Sequence, residues 1–327
     1  MKRPAVLRLT LVGLALAALF TALAGGSVTI DSATLWRVLL GEDRGLATTL
    51  VMELRLPRAL TAFAVGGLLA VSGVLLQVLL RNPLADPYVL GVSGGGSVAA
   101  LLALMAGLGS AAISASALAG SLAAMFLVFG LSHGRGAWND TRLLLTGVVV
   151  ASGCGAVISL LLSLTPQNTL TSLVFWLLGD LGQPTVPPAW GLVVLVTGLA
   201  LALPFARALN LYARGENVAA ALGENVVLLR YGLYFLAALL TASALTLAGN
   251  IGFIGLVVPH LLRLLGDTNH RQLLPNAALA GGSLLVLADT LARTVVAPAQ
   301  LPAGAVTALI GVPVFLFLLS RRAGGAP

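Results

Sequence analysis

Lysine, cysteine, histidine and charge of either sign are all scarce in this sequence, and each scarcity excludes something. Charged residues fill 9% of the 327 positions, against about 25% in soluble domains, which excludes a water-exposed globule. Lysine occurs once, as Lys2. A Walker A loop needs a lysine on the nucleotide phosphates, so the chain is not its own P-loop ATPase. A single cysteine, Cys154, excludes an internal disulfide and reads as a small packed side chain. The three histidines are His133, His260 and His270. No grouping of His, Cys, Asp and Glu has metal-ligand spacing, so no metal site and no resident cofactor are expected. The net charge of +7 is scattered at the ends of apolar runs rather than clustered, which is the pattern of membrane topology and not of a nucleic-acid partner.

What is abundant is apolar. Hydrophobic residues make up 58% of the chain and the mean hydropathy is +1.02. A spanning helix needs roughly 20 such residues, and eight uncharged runs between 9–30 and 294–320 supply them. The 46-residue run at 87–132 divides at Gly107-Leu108-Gly109-Ser110. Thr165-Pro166-Gln167-Asn168 ends a helix, and a short interfacial helix and loop follow up to Asp180. Gly249-Asn250-Ile251-Gly252 splits another run and leaves a short second piece.

The expectation is an all-α polytopic membrane protein, residues 1–327 forming one transmembrane domain. It has ten helices at roughly 9–29, 57–80, 90–107, 111–131, 142–163, 190–206, 230–249, 253–266, 272–296 and 304–320. The eighth is the short one. With both termini in the cytoplasm, thirteen of the 18 basic residues lie inside, and Arg37, Arg44, Arg55, Arg58 and Arg293 lie outside, as the positive-inside rule requires. Met1-Lys2-Arg3 followed by an apolar core and Ala22-Leu23-Ala24 resembles a signal peptide. The uncharged stretch Leu9 to Ile30 is long enough to span and is expected to remain as the first helix.

One segment interrupts the apolar pattern: Arg81-Asn82-Pro83-Leu84-Ala85-Asp86-Pro87, running on to Ser97. Gly94, Gly96 and Ala99 fit a dinucleotide fingerprint, but that motif needs a preceding strand. Gly91-Val92-Ser93-Gly94-Gly95 fits a nucleophile elbow, and Ser93 would then need an imidazole base, as in an intramembrane serine protease. The same glycines also serve ordinary helix packing. A transporter gate uses every unusual residue: the prolines end a helix, Asn82 and Asp86 accept bonds from freed backbone donors, and irregular backbone is tolerated beside a cavity. An ion-coupled secondary carrier is a further alternative and should show paired charges near the bilayer midplane. Asp289 and Arg293 are the one pair of that kind, near a helix end.

Several further motifs stand in order: Leu54-Arg55-Leu56-Pro57-Arg58; Gly73 and Gln77; Leu90-Gly91-Val92-Ser93; Leu143-Leu144-Leu145-Thr146-Gly147; Phe175-Trp176-Leu177-Leu178-Gly179; Gly252-Phe253-Ile254-Gly255 through Pro259-His260-Leu261-Leu262-Arg263; Leu287-Ala288-Asp289; and Leu301-Pro302-Ala303-Gly304. Together with the segment at 81–87 they resemble the permease subunit of ABC importers for vitamin B12, ferric siderophores and haem, over essentially the whole chain.

The resemblance implies a dimer of permeases, expected as two copies of this chain, with the pathway between them. Two cytoplasmic P-loop ATPases would hold ATP and Mg, and a soluble or lipid-anchored binding protein would deliver the substrate at a bacterial inner membrane. It implies a gate at Asn82, Pro83 and Leu84 together with Asp140 and Thr141. Family members commonly carry small hydroxyl residues at that second position, so Asp140 is a departure. Residues 207–230 resemble the cytoplasmic coupling loop, with Arg214, Gly215, Glu216, Ala220 and Gly223 at the ATPase contact and two short helical pieces hinged near Gly223. Arg55, Arg58 and Arg293 match positions that meet acidic residues of the binding protein. Local pairing, of Arg293 with Asp289 or of Arg55 with Glu53, is the alternative use of those charges. Cobalamin, ferric siderophore and haem remain alternatives as substrate.

Overall fold

The computed structural model describes residues 3–26, 28–132, 139–182 and 186–323; His133, Arg135 and Pro184 lie outside them. In chain order the elements are α1 (Arg3–Ala24), α2 (Ser32–Leu39), α3 (Leu46–Thr48), a π-helical stretch (Thr49–Arg55), α4 (Leu56–Leu79), a 3-10 turn (Pro87–Leu90), α5 (Val92–Met105), α6 (Ser110–Ser132), α7 (Asp140–Leu164), α8 (Gln167–Leu178), α9 (Pro188–Ala202), a second 3-10 turn (Leu203–Phe205), α10 (Ala206–Tyr212), α11 (Glu216–Ala221), α12 (Val226–Ala248), α13 (Ile254–Leu264), α14 (His270–Thr294) and α15 (Ala303–Ala323).

Each of the ten apolar segments expected from the sequence falls on a helix: α1, α4, α5, α6, α7, α9, α12, α13, α14 and α15. Seven stretches are long and apolar enough to cross a membrane, and α5, α13 and the stretch Ala303–Phe317 of α15 are shorter. The sixth segment runs further than expected. Pro204 lacks the N–H an α-helix needs, so the backbone tightens to 3-10 geometry at Leu203–Phe205 and then resumes as α10.

The core is built around α4, which is buried along almost all of its length against α14, α12, α9 and α13. Small residues make this possible. A methyl group on Gly66 would overlap the Gly281 carbonyl of α14, and one on Gly73 would overlap the Gly255 carbonyl of α13, so the backbones touch where side chains would otherwise intervene.

Pro259 interrupts α13, and its missing N–H leaves the Gly255 carbonyl, four residues earlier, without a helical donor. Gln77 of α4 supplies one: its Nε2 donates to the Gly255 oxygen at 3.2 Å and to the Leu256 oxygen at 3.3 Å, while its Oε1 accepts from Arg263. Three separate motif residues, Gln77, Pro259 and Arg263, are therefore one structural unit.

α7 is the opposite of α4. Only Leu143 and Gly147 on it are buried, and Leu145, Val148, Val149, Leu160 and Leu164 are exposed.

Candidate functional site

The interrupting segment packs against the start of α7. Arg81 takes a left-handed conformation, φ 47°, which turns the chain out of α4. Asn82 Oδ1 then accepts the Leu84 N–H at 2.9 Å, and Asp86 Oδ1 accepts the Tyr88 N–H at 2.8 Å, capping the 3-10 turn. Both side chains do what their residue types favour, closing tight turns where no helical partner is left. The turn is pressed on α7 so closely that a methyl group on Gly147 would overlap the Val89 carbonyl. Arg81 bridges to Asp140 at 3.2 Å. The two stretches expected to form the gate, Asn82–Leu84 and Asp140–Thr141, are thus brought together. Pro83, Leu84 and Thr141 are exposed beside them. The acidic Asp140, unusual by the family pattern, has Arg81 as its partner.

Beyond this contact lies an open cavity of roughly 880 Å³. Asp86 and Tyr88 contribute from the turn, Ser93 and Ser97 from α5, Ser152 from α7, and Asn250 from the α12–α13 connection. Tyr88 also ties the turn to that connection, its hydroxyl accepting the Ile251 N–H at 3.2 Å. Burial pushes the Asp86 carboxyl from 3.8 up to about 6, partly offset by the bond from the Tyr88 N–H. Among the described residues, the two imidazoles have neighbours other than Ser93. His270 Nδ1 lies 2.7 Å from Asn210 Oδ1, and the His260 ring stands edge-on to Phe315. Ser93 is a wall residue.

The three arginines expected on the outer face turn inward and bond within the chain. Arg55 is 6% exposed and donates to the Leu23 and Ala24 oxygens at 2.7 and 3.0 Å and to the Val28 oxygen. Arg293 donates to the Ala22 oxygen at 2.7 Å. The last carbonyls of a helix have no partner within it, and here two arginines from distant elements supply one for α1. Arg58 grips the Asp289 carboxylate and bonds Gln300 Oε1 at 2.9 Å. Arg293 Nε lies 3.4 Å from the same carboxylate. The Asp289–Arg293 pairing considered from sequence is present, and backbone carbonyls take the place of Glu53 as partners of Arg55. The π-helical register of Thr49–Arg55 ends at Arg55, directly before Pro57 restricts the chain.

In the 207–230 segment, α10 and α11 meet at Gly215, whose φ of 132° suits glycine. The hinge between the helical pieces is therefore at Ala213–Gly215, and Gly223, φ 85°, ends the second piece. Arg230 of α12 holds the arrangement, donating to the Tyr212 hydroxyl at 3.0 Å and pairing with Glu216. Ala219 is buried, while Arg214, Ala220, Val218 and Leu222 face outward. Asn210, which the sequence did not single out, fastens α10 to α14: its Oδ1 accepts the His270 N–H at 3.0 Å, and its Nδ2 donates to Asn269.

The FecCD transport family model matches residues 14–321. The chain belongs to the FecCD transport family. This FecCD chain is 40% identical over 309 residues to the hemin transport system permease protein HmuU of Yersinia pestis, covering 91% of this chain and 90% of that one. It is 41% identical over 278 residues to the vitamin B12 import system permease protein BtuC of Serratia proteamaculans (84% and 83% covered). It is also 41% identical over 297 residues to an uncharacterized ABC transporter permease protein, YvrB, of Bacillus subtilis (88% and 83% covered). Its fold matches a protein described as a metal-chelate type ABC transporter in an inward-facing conformation, with a TM-score of 0.84, 31% identity, and 97% and 99% of the two chains covered.

Proposed function

We propose that this FecCD chain is the multi-pass permease subunit of an ATP-driven importer for a bulky metal chelate, a ferric siderophore, haem or cobalamin, in a bacterial cytoplasmic membrane. The single observation that carries this reading is the full-length likeness to importer permeases, with about nine-tenths of both chains aligned in the HmuU comparison.

In this reading the chain crosses the membrane ten times with both termini in the cytoplasm. Two copies pair across the exposed apolar face of α7, and the cavity beside Asp86 is half of the pathway. Asn82, Pro83, Leu84, Asp140 and Thr141 form the cytoplasmic gate, with the Arg81–Asp140 bridge as its latch. Arg214, Gly215, Glu216, Ala220 and Gly223 contact two ATPase subunits that hold ATP and Mg; the outward-facing Val218 and Leu222 are suited to a partner's groove. A substrate-binding protein docks at the opposite end, near Arg55, Arg58 and Arg293. Since those guanidiniums are held inside the chain, their part in docking is to fix the shape and positive potential of that surface.

Tagging the chain in its own host, solubilising it gently and identifying stoichiometric partners tests the reading. A P-loop ATPase at equal copy number, lost when Glu216 and Gly223 are replaced, is expected. Recovery of the intact permease without any ATPase would overturn it.

A further inference from the structure

Helix α2 has three different sides. At about 100° per residue, Leu35 and Val38 share one, Thr34 and Arg37 a second, and Trp36, Leu39 and Leu40 a third. The first is buried, Leu35 and Val38 packing with Leu23, Ile30 and Val51. The second is polar, and the Arg37 guanidinium donates to Thr34 Oγ1 at 3.0 Å. The third is apolar and bare: Trp36 is 57%, Leu39 39% and Leu40 68% exposed. A helix lying between protein and water has use for the first two sides only, and an exposed apolar stripe marks a contact with a further partner.

The neighbours of α2 say what that partner is. Leu23 belongs to the last turn of α1, which is long and apolar enough to cross a membrane, so α2 is fixed at the depth where α1 leaves the bilayer. α1 lies at the rim of the bundle. Its buried residues Leu11, Ala15, Ala18 and Ala22 form one strip, while Leu9, Leu14, Leu16 and Phe20 are exposed to the surrounding lipid. Tryptophan suits the boundary between lipid and water, because its ring is apolar and its N–H is not. We propose that α2 is an interfacial helix whose partner is the lipid itself. It lies along the membrane surface with Trp36, Leu39 and Leu40 in the headgroup–acyl boundary and Arg37 in water, as amphipathic helices of this kind do. Arg37 and Arg44 are balanced by Glu42 and Asp43 in the same connection, so the contact is with acyl chains and does not call for anionic headgroups. The proposal rests on α1 crossing the membrane and not on the substrate or the partners of transport.

The test uses the full chain in lipid nanodiscs. Trp36→Phe keeps an aromatic ring at an exposed position, and the fluorescence lost on that change is the emission of Trp36. In lipid brominated near the headgroup end of its acyl chains, that component should fall roughly twofold, as expected of an indole about 5–10 Å inside the boundary. Acrylamide in the water should quench it less. The fall should be the same in phosphatidylcholine with or without phosphatidylglycerol; a fall that needs phosphatidylglycerol overturns the acyl-chain contact. Spin labels on Leu40→Cys and Arg37→Cys, each combined with Cys154→Ser, give an independent reading. The label at position 40 should collide preferentially with oxygen, and the one at position 37 with a water-soluble nickel chelate. Trp36 emission that acrylamide quenches and bromine does not, or two labels equally open to the nickel chelate, overturns the interfacial placement and leaves that side of α2 to a docking protein.

Discussion

Arg58 and Asp289 join α4 to α14 through two nitrogens on one carboxylate, at 2.8 to 3.1 Å. The same carboxylate also neighbours Arg293, so one buried acid balances two guanidiniums. Breaking a buried pair costs about 3–5 kcal/mol, because the partner is left charged and uncompensated. Asp289→Asn should lower the stability of the purified permease by about that much, read as a fall in its thermal unfolding temperature in detergent. An unchanged unfolding temperature would show that the arginines are balanced by other groups.

The close approach of α4 and α13 at Gly73 gives a second expectation. Gly73→Ala puts a methyl group into the Gly255 backbone, which cannot move aside as a flexible side chain could, and overpacking of this kind costs about 1–3 kcal/mol. Gly130→Ala in α6 meets nothing within 4 Å and should be neutral or slightly stabilising. The yields of folded protein on size exclusion should separate the two variants clearly.

The Gln77–Pro259 relationship predicts a coupling rather than a simple loss. Gln77→Leu leaves the Gly255 carbonyl without its side-chain donor and should cost about 1–3 kcal/mol. Pro259→Ala restores the N–H that donates to that carbonyl, so the Gln77 change should be milder in that background. A double-mutant cycle should give an interaction of about 0.5–3 kcal/mol. Strict additivity would refute the assignment of Gln77 as substitute donor.

Acidity should act through Asp86. Its folded-state carboxyl, at about 6, lies above the ordinary 3.8, so the folded chain binds this proton more tightly than the unfolded chain. The cost of its buried charge is absent below the unfolded value, grows as pH rises between 3.8 and about 6, and is complete above that, on the order of 3 kcal/mol. Asp86→Asn should therefore be more stable than the parent at pH 7, and the gap between their unfolding temperatures should close as the pH falls toward 4. A gap that is constant with pH would place the carboxylate in water.

The helices were legible because charge is so rare that each apolar run is bounded by a clear signal, and the turn at 81–91 announced itself through Asn82, Asp86 and two prolines. The direction in which a side chain points was not legible. Arg55, Arg58 and Arg293 read from sequence first as outward contacts to a binding protein, with internal pairing as the alternative. The placement of the α1 carbonyls beside Arg55 and Arg293, and of Asp289 and Gln300 beside Arg58, shows where their bonds go. The hinge of the 207–230 segment was placed near Gly223 because glycine marks a break. Gly215 is also a glycine, and the break between α10 and α11 falls there, its φ of 132° beyond the reach of sequence reading. Asn210 carried no signal at all: a lone amide at a helix end gains its meaning from His270, sixty residues later.

The double arginine cap on α1 has a consequence for how the protein is made. α1 leaves the ribosome before α4 and α14, yet its Leu23 and Ala22 carbonyls take donors encoded 32 and 271 positions downstream. Until Arg55 follows, Leu23 must borrow its hydrogen bond from water or lipid headgroups, whereas Ala24 already has the Ile30 N–H, and Ala22 must borrow until α14 has been synthesised. The end of α1 is therefore completed only when α14 arrives. A nascent chain stopped before α14 should hold its first helix loosely enough for quality-control proteases to find it.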